Sequence, residues 1–447
     1  MTKDLIEYFK DKKILILGFG IEGYSTYKFI RKYLKNQKLN ISDRRAIDID
    51  MYDGLDKDEN VEIITGESYL NNLEEFDIIM KTPGLSFSGI DTSKFIDKVK
   101  SQLELILEFM DVKTIGITGT KGKSTTSSLM YKVLKEQRID TLFLGNIGVP
   151  AFDFIERIGK KTVVILEMSS HQLEYMKKSP NISILLNLYE EHLDHYESFE
   201  RYAEAKCNIF KYQTPDDYLL YNVDNENLKK FVKNVKSQEY KVSFKGKAGS
   251  NVDIEDGYVW MDGEKIYEID TPRKLLGDYN LNNIMFVLAV AKILKLNIKK
   301  AIKTISEFET LPHRLEFIGK YNDILFYDNS IATIPEATIE AVKALKEVNT
   351  LILGGMDRGI NYNKLVKFIN QSNIENVICM PKTGYDMAPK IENKNVYKVE
   401  SMEGAVRISK QVTEKEKICL LSPAAASYGF FRNFEERGDI YKHFVQE

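Results

Sequence analysis

The chain has 447 residues, 43% hydrophobic and 29% charged, with a net charge of -3. That length exceeds one ordinary core and calls for two or three domains of roughly 100–200 residues, and the balanced charge offers no global basic field for nucleic acid. No uncharged apolar run reaches the roughly 18–20 residues that a bilayer span requires, and the opening MTKDLIEYFKDKK lacks the apolar centre of a signal peptide, so a cytoplasmic protein with no membrane partner is expected.

Apolar runs of strand length recur in the order KILILG, FDIIM, TIGITG, TVVILE, ISILLN, DYLLYN, LILGG, NVICM and ICLLSP, with helical periods between them. Strands that are apolar along their whole length and alternate with helices predict an α/β fold, with parallel sheets covered on both faces. The first run opens into Gly18-Phe-Gly-Ile-Glu-Gly23, and Asp43 lies twenty residues beyond Gly23. This spacing satisfies the dinucleotide-binding pattern and taken alone would suggest an NAD oxidoreductase. Residues 239–275 depart from the alternation, since short strand-like pieces and glycine turns there suggest a small antiparallel insertion. Cys207, Cys379 and Cys419 are odd in number and far apart, which suits reduced thiols rather than disulfides or a zinc site.

The third run feeds Gly116-Ile-Thr-Gly-Thr-Lys-Gly-Lys-Ser-Thr125, followed by the helical pattern SSLMYKVLKE. Strand, glycine loop and helix together are what a polyphosphate requires: backbone N–H groups and a helix N-terminus round the phosphates, a lysine on the outer ones and a hydroxyl on Mg²⁺. Lys123 and Ser124 fit the last two roles, although Ile117 stands where the general pattern has its first glycine. A tight strand-to-helix turn without a ligand is the bland alternative. The next strand ends in Glu167-Met-Ser-Ser-His-Gln-Leu-Glu174 and a later one in Asn187-Leu-Tyr-Glu-Glu-His-Leu-Asp194, so acidic and imidazole groups gather at carboxyl ends of strands, the edge where open α/β sheets bind ligands. A carboxylate beside the loop would complete a magnesium site for phosphoryl transfer.

These motifs, with GNIG at Gly145–Gly148, AKCNIF at Ala205–Phe210, GDYNLNN at Gly277–Asn283, LPHRLE at Leu311–Glu316, LGGMDRG at Leu353–Gly359 and the closing LLSPAAASYGFFRNFEERGD, resemble the Mur ligases in order and spacing over nearly the whole chain. Ser124 after the loop lysine and the SPAAAS and NFEERGD segments resemble the D-glutamate-adding members, whereas the related folylpolyglutamate synthetases carry a GTNGKGS-like loop and lack this ending. The resemblance implies ATP-dependent addition of D-glutamate to UDP-N-acetylmuramoyl-L-alanine through an acyl phosphate, in peptidoglycan precursor synthesis. It further implies a monomer of three domains: a Rossmann-like UDP-binding domain at 1–111, a central ATPase domain at 112–310 and a Rossmann-like amino-acid domain at 311–447.

Carried over residue by residue, the resemblance assigns the loop Gly119, Thr120, Lys121, Gly122, Lys123, Ser124 and Thr125 to ATP, with Asn280 and Asn283 on the adenine side, Arg314 on the phosphates and Asp328 at the nucleotide. Ser124 and Glu167 would hold Mg²⁺, and His192 a second Mg²⁺ near the acyl phosphate. Lys206 matches a lysine carried as a carbamate that supports the metal. Lys123, His192 and Lys206 are the implied catalytic groups. Gly20, Asp43, Arg44, Thr82, Pro83 and Gly84 would serve the UDP end, Asn146 and Ser169 the muramoyl-alanine part, and Thr333, Arg358, Ser427 and Phe434 the incoming glutamate, whose side-chain carboxylate a guanidinium can grip in two prongs. On this view the Gly18–Gly23 loop contacts UDP rather than NAD.

One stretch departs from the family. Where D-glutamate members carry DSKATN, this chain reads Asp328-Asn-Ser-Ile-Ala-Thr-Ile-Pro335, with Asn329 where the motif aspartate stands, which leaves the nucleotide-ribose contact to Asp328, and with Ile331 in place of the lysine and Ile334 in place of the asparagine. A branch that adds L-glutamate has a similar non-lysine motif, so the alternative is L-glutamate. Lys121, where asparagine is usual, is a smaller departure. A P-loop switch protein remains a third class, supported by the loop alone.

Overall fold

The structure is a computed structural model and describes residues 2–146, 149–246 and 249–447. All nine apolar runs are strands, and they fall into three sheets. The first sheet orders Val61–Thr65, Leu39–Asp43, Ile14–Leu17, Ile78–Lys81 and Val99–Lys100, all parallel. Ile14–Leu17 and Ile78–Lys81 are buried at every position, which is why they read as unbroken apolar runs.

The second sheet has nine strands, among them the parallel series Tyr218–Asn222, Ile182–Leu185, Lys113–Thr118, Val163–Glu167 and Thr141–Gly145. The antiparallel segment expected at 239–275 is narrower than that range. Gln238–Val242 pairs parallel with Tyr218–Asn222, and only Val252–Glu255, Tyr258–Met261 and Glu264–Glu268 form an antiparallel meander. The meander prolongs the sheet edge because Val252 pairs with Val242.

The third sheet runs Glu316–Tyr321, Ile324–Asp328, Ile418–Leu421, Val348–Gly355, Asn376–Lys382 and Asn395–Lys398. It is parallel except for the first two strands, which form a hairpin on its edge.

The chain divides into two compact units, one of residues 1–271 and 282–305, the other of 272–281 and 306–447. The first unit holds the first two sheets. One apolar cluster runs through both, joined at Phe152, whose ring lies 4.7 Å from Phe29 and 6.4 Å from Phe9. Polar contacts seal the same seam: the Ser25 hydroxyl donates to Asp153 at 2.7 Å, and Lys32 pairs with Glu156 at 2.7 Å. The second unit packs its helices on the two faces of the third sheet. All three cysteines are buried and unpaired. Burial drives their thiols up, Cys207 and Cys379 to about 12 and Cys419 to about 11.

Candidate active site

In a parallel sheet every strand delivers its following loop to one edge, so residues far apart in sequence meet there. In the second sheet that edge carries the phosphate loop, Asn146, Glu167 and the segment Asn187–His192. Gly119 and Gly122 have φ of 157° and 91°. A Cβ on Gly122 would stand 2.7 Å from Asn283 Oδ1, and one on Gly119 would stand 2.9 Å from Leu186 Cβ. The backbone therefore curls where no side chain fits, and Asn283 abuts the loop at Gly122. Asn187 ties the loop down, its Oδ1 accepting from Lys121 N at 2.9 Å and its Nδ2 donating to Lys121 O at 2.9 Å. Thr120 bonds Tyr189 and the Tyr202 hydroxyl, and Thr125 is buried in the first turn of the helix Lys123–Glu136.

Glu167 is the hub. Its carboxylate, 1% exposed, accepts from Ser124 Oγ at 2.9 Å, Ser127 Oγ at 3.2 Å and Asn146 Nδ2 at 3.2 Å. Lys123 folds over the loop and donates to the carbonyls of Gly119 at 2.9 Å and Thr120 at 3.2 Å. Ser124 and Glu167 thus face each other at the spacing two oxygen ligands of one small dication adopt, beside a lysine at a polyphosphate loop. Of the GNIG motif, Ile147 and Gly148 lie outside the described residues.

Lys206 is not a surface lysine. The helix Phe199–Lys211 buries it to 1% exposed, and its Nζ donates to Gly119 O at 3.0 Å beneath the phosphate loop. Loss of water holds its pKa well below the usual lysine value; the Lys123 ammonium adds to this and Glu191 opposes it. Glu191 pairs with Lys121 at 2.9 Å. Burial alone would raise that carboxyl, but Lys121, then His192 and Lys123, outweigh it and hold it below its usual range.

His192 has a left-handed backbone with φ of 58°, and its ring meets His171 at 5.0 Å between centroids. His171, not singled out from the sequence, also meets His195 at 4.4 Å, and His195 bonds Glu174 at 2.9 Å. Burial, followed by its two histidine neighbours, pushes His171 down to about 4, leaving it neutral at pH 7. The EMSSHQLE and HLDH strings contained this signal, since three of the five histidines of the chain fall in them. Ser169 caps the short helix Ser170–Leu173 in a box with Gln172.

In the first sheet, Gly18, Asp43 and Thr82 lie at the carboxyl ends of neighbouring strands. Asp43 accepts from Phe19 N at 2.8 Å and Arg45 N at 2.9 Å, so it shapes the glycine loop, while Arg44 is exposed beside it. A Cβ on Gly18 would meet Thr82 Oγ1 at 2.0 Å, whereas Gly20, at the N-terminus of the helix Ile21–Tyr33, faces open space. Pro83 and Gly84 continue the rim.

In the second unit, Asn280 is buried, its Nδ2 donating to Leu276 O at 2.6 Å. Thr333, Arg358 and Ser427 follow the carboxyl ends of three adjacent strands of the third sheet. A bridge between Met356 and Ala426 ties the exposed Arg358 loop to the Ser427 segment, and Phe434 opens the last helix with its ring 6.2 Å from His313. Asp328, expected at the nucleotide, is 0% exposed and engaged elsewhere: Oδ2 lies 2.7 Å from His313 Nδ1, and Oδ1 accepts from Ser330 N at 2.8 Å. Arg314 lies in the turn just after His313.

A model of the Mur ligase middle domain matches residues 117–291. Enzymes named UDP-N-acetylmuramoylalanine–D-glutamate ligase from Clostridium kluyveri and Acetivibrio thermocellus are each 32% identical to the chain over 99% of its length and 98% of theirs. One of the same name from a Geobacillus species is 30% identical over 97% of both chains. Among solved structures, MurF of Thermotoga maritima in complex with ADP aligns with a TM-score of 0.61 at 16% identity, covering 97% of this chain and 94% of that one. MurC of the same organism aligns with a TM-score of 0.59 at 17% identity, covering 97% and 99%. Both share the fold. On the full-length likeness, the chain belongs to the Mur ligase family of ATP-dependent, ADP-forming ligases.

Proposed function

We propose that this enzyme joins D-glutamate to UDP-N-acetylmuramoyl-L-alanine in cytoplasmic peptidoglycan precursor synthesis, acting as a monomer of three domains divided near residues 111 and 310. The observation that carries the site reading is the meeting of Ser124, Asn146 and Glu167 beside a buried Lys206 under the phosphate loop. The alanyl carboxylate attacks the γ-phosphorus of ATP and ADP leaves; the glutamate amine then attacks the acyl carbon, phosphate leaves and the amine sheds its proton. The protein supplies positions and charge, since a carboxylate and an amine do not condense unaided.

Lys123 grips the outer phosphates within the loop Gly119–Thr125, and the family resemblance gives Asn280 and Asn283 to the adenine and Arg314 to the phosphates. Ser124 and Glu167 would hold one Mg²⁺ and His192 a second, ions that neutralise phosphate charge when bound. Lys206 is a carbamate in the working enzyme. Burial supports this, because only a neutral amine adds CO2, and the resulting anion lies where the Lys123 side would otherwise be crowded with cations. The Gly20, Asp43, Arg44 and Thr82–Gly84 edge takes UDP, Asn146 and Ser169 take the muramoyl-alanine, and Thr333, Arg358, Ser427 and Phe434 take glutamate.

Ile331 and Ile334 in place of the usual lysine and asparagine favour one second reading, L-glutamate as the amino acid. Phosphate release from ATP, Mg²⁺ and UDP-N-acetylmuramoyl-L-alanine, with D-glutamate, L-glutamate or no amino acid, decides between them. Release with D-glutamate alone is expected; release with L-glutamate alone transfers the enzyme to the second reading, and release independent of either removes both.

A further inference from the structure

The last helix contributes a fully buried guanidinium, Arg437, 1% exposed, to the carboxyl edge of the third sheet. Its Nε donates to Ser330 Oγ at 3.0 Å and its two terminal nitrogens to Ala425 O at 3.0 Å and Ser330 O at 2.7 Å. Ser330 in turn donates to Phe434 O at 2.7 Å. The buried Asp328 carboxylate, next in sequence to Asn329 and Ser330, faces His313. Gly438 closes the pair from above, since a Cβ there would stand 2.1 Å from His313 Nδ1 and 2.6 Å from Asp328 Oδ2. Four sequence-distant segments thus lock together around groups that no reaction step uses.

What they lock is the turn bearing Arg314. His313 and Leu315, on either side of it, have φ of 61° and 49°. Left-handed backbone at two non-glycine residues persists only where surroundings impose it. Here His313 N donates to Glu316 Oε2 at 2.8 Å, Leu315 N to Asn329 Oδ1 at 3.3 Å, and Ile331 N to His313 O at 3.2 Å. Asn329 is itself anchored on Ser422 Oγ at 3.0 Å. His313, Glu316 and Asp328 also bring ligand atoms within 4.8 Å of one another. Lys442 already pairs with Glu316 at 2.7 Å, so the cluster is an ion-pair network rather than a cation site.

We infer that Asp328, His313 and Arg437 form a positioning unit that fixes the backbone of the turn bearing Arg314, the residue given above to the ATP phosphates. This rests on the role given to Arg314 above. A buried ionic group that adds little net stability can still fix one conformation. The reading also explains why this chain carries Asp then Asn at 328 and 329: the carboxylate serves His313 and the amide serves Leu315.

A double-mutant cycle on the full-length enzyme tests it. Asp328→Asn and, separately, Gly438→Ala are expected to lower kcat on the order of 100-fold, the cost of a small misplacement of a catalytic group, with KM for the UDP substrate unchanged. In an Arg314→Ala background the same changes should cost less than about two-fold, because they act through Arg314. An equal loss in both backgrounds, or wild-type kcat in Asp328→Asn, overturns the proposal while leaving Arg314 its role. Wild-type turnover by Arg314→Ala itself overturns that role and the proposal with it. Gly438→Ala crowds the pair from the opposite side and is the harsher change, so His313→Gln, which only removes the partner of Asp328 and is expected to show the same Arg314-dependent loss, carries the test where Asp328→Asn does not fold.

Discussion

Lys123 and Lys206 lie in the same small volume and differ in what surrounds them. Lys123 stays on the loop surface within reach of two carbonyls, whereas Lys206 is shut beneath it. Lys123→Ala should abolish ATP turnover, and a phosphate-release assay checks this. Lys206→Ala should lose activity on the order of 100-fold or more, with partial return in millimolar short carboxylic acids that fill the carbamate position; an inactive variant with no such return would argue for a plain lysine. A pH signature accompanies the burial. The folded amine has a pKa below its unfolded value near 10.5, so between the two the unfolded chain binds the extra proton and stability rises with pH. In CO2-free buffer, wild type should gain stability over Lys206→Met as pH climbs toward 10, read from denaturant midpoints.

Among the elements, the strand-loop-helix of residues 113–136 was the most legible in sequence, because glycine spacing, lysine and hydroxyl are all dictated locally by phosphate geometry. Gly122→Ala should show how tight that geometry is. With φ of 91° and Asn283 Oδ1 only 2.7 Å from the new methyl, strain of about 1–3 kcal/mol is expected, measurable as a weaker ADP isotherm than wild type. The edge strands Val61–Thr65 and Glu316–Tyr321 were harder to read, since half-exposed strands alternate and carry charge. Asp328 shows a different limit. Its place in the motif suggested the nucleotide, but its carboxylate is taken by His313 and Ser330, and Gly438 of a helix more than a hundred residues later closes over the pair, a contact that leaves no local pattern. The histidine trio at 171, 192 and 195 was present in the strings, yet only the parallel register of the second sheet brings the rings together.

At the scale of the molecule, the continuous core through Phe152 joins the first two sheets, so the edges proposed for UDP and for ATP should respond together to substrate. Saturating UDP-N-acetylmuramoyl-L-alanine, at about 100 times its Kd, should stabilise the chain by about 2.7 kcal/mol, and a thermal shift that is absent would mean the first sheet does not take this ligand. The three native thiols have a practical corollary. All are buried and pushed to pKa values of about 11 to 12, so maleimide reagents at neutral pH should pass them by. Lys160, exposed in the turn that enters the strand Val163–Glu167 from the end opposite Glu167, is a natural place for a single new thiol. A Lys160→Cys enzyme should take up one fluorophore at full activity, giving a labelled ligase for single-molecule work without removal of any native cysteine.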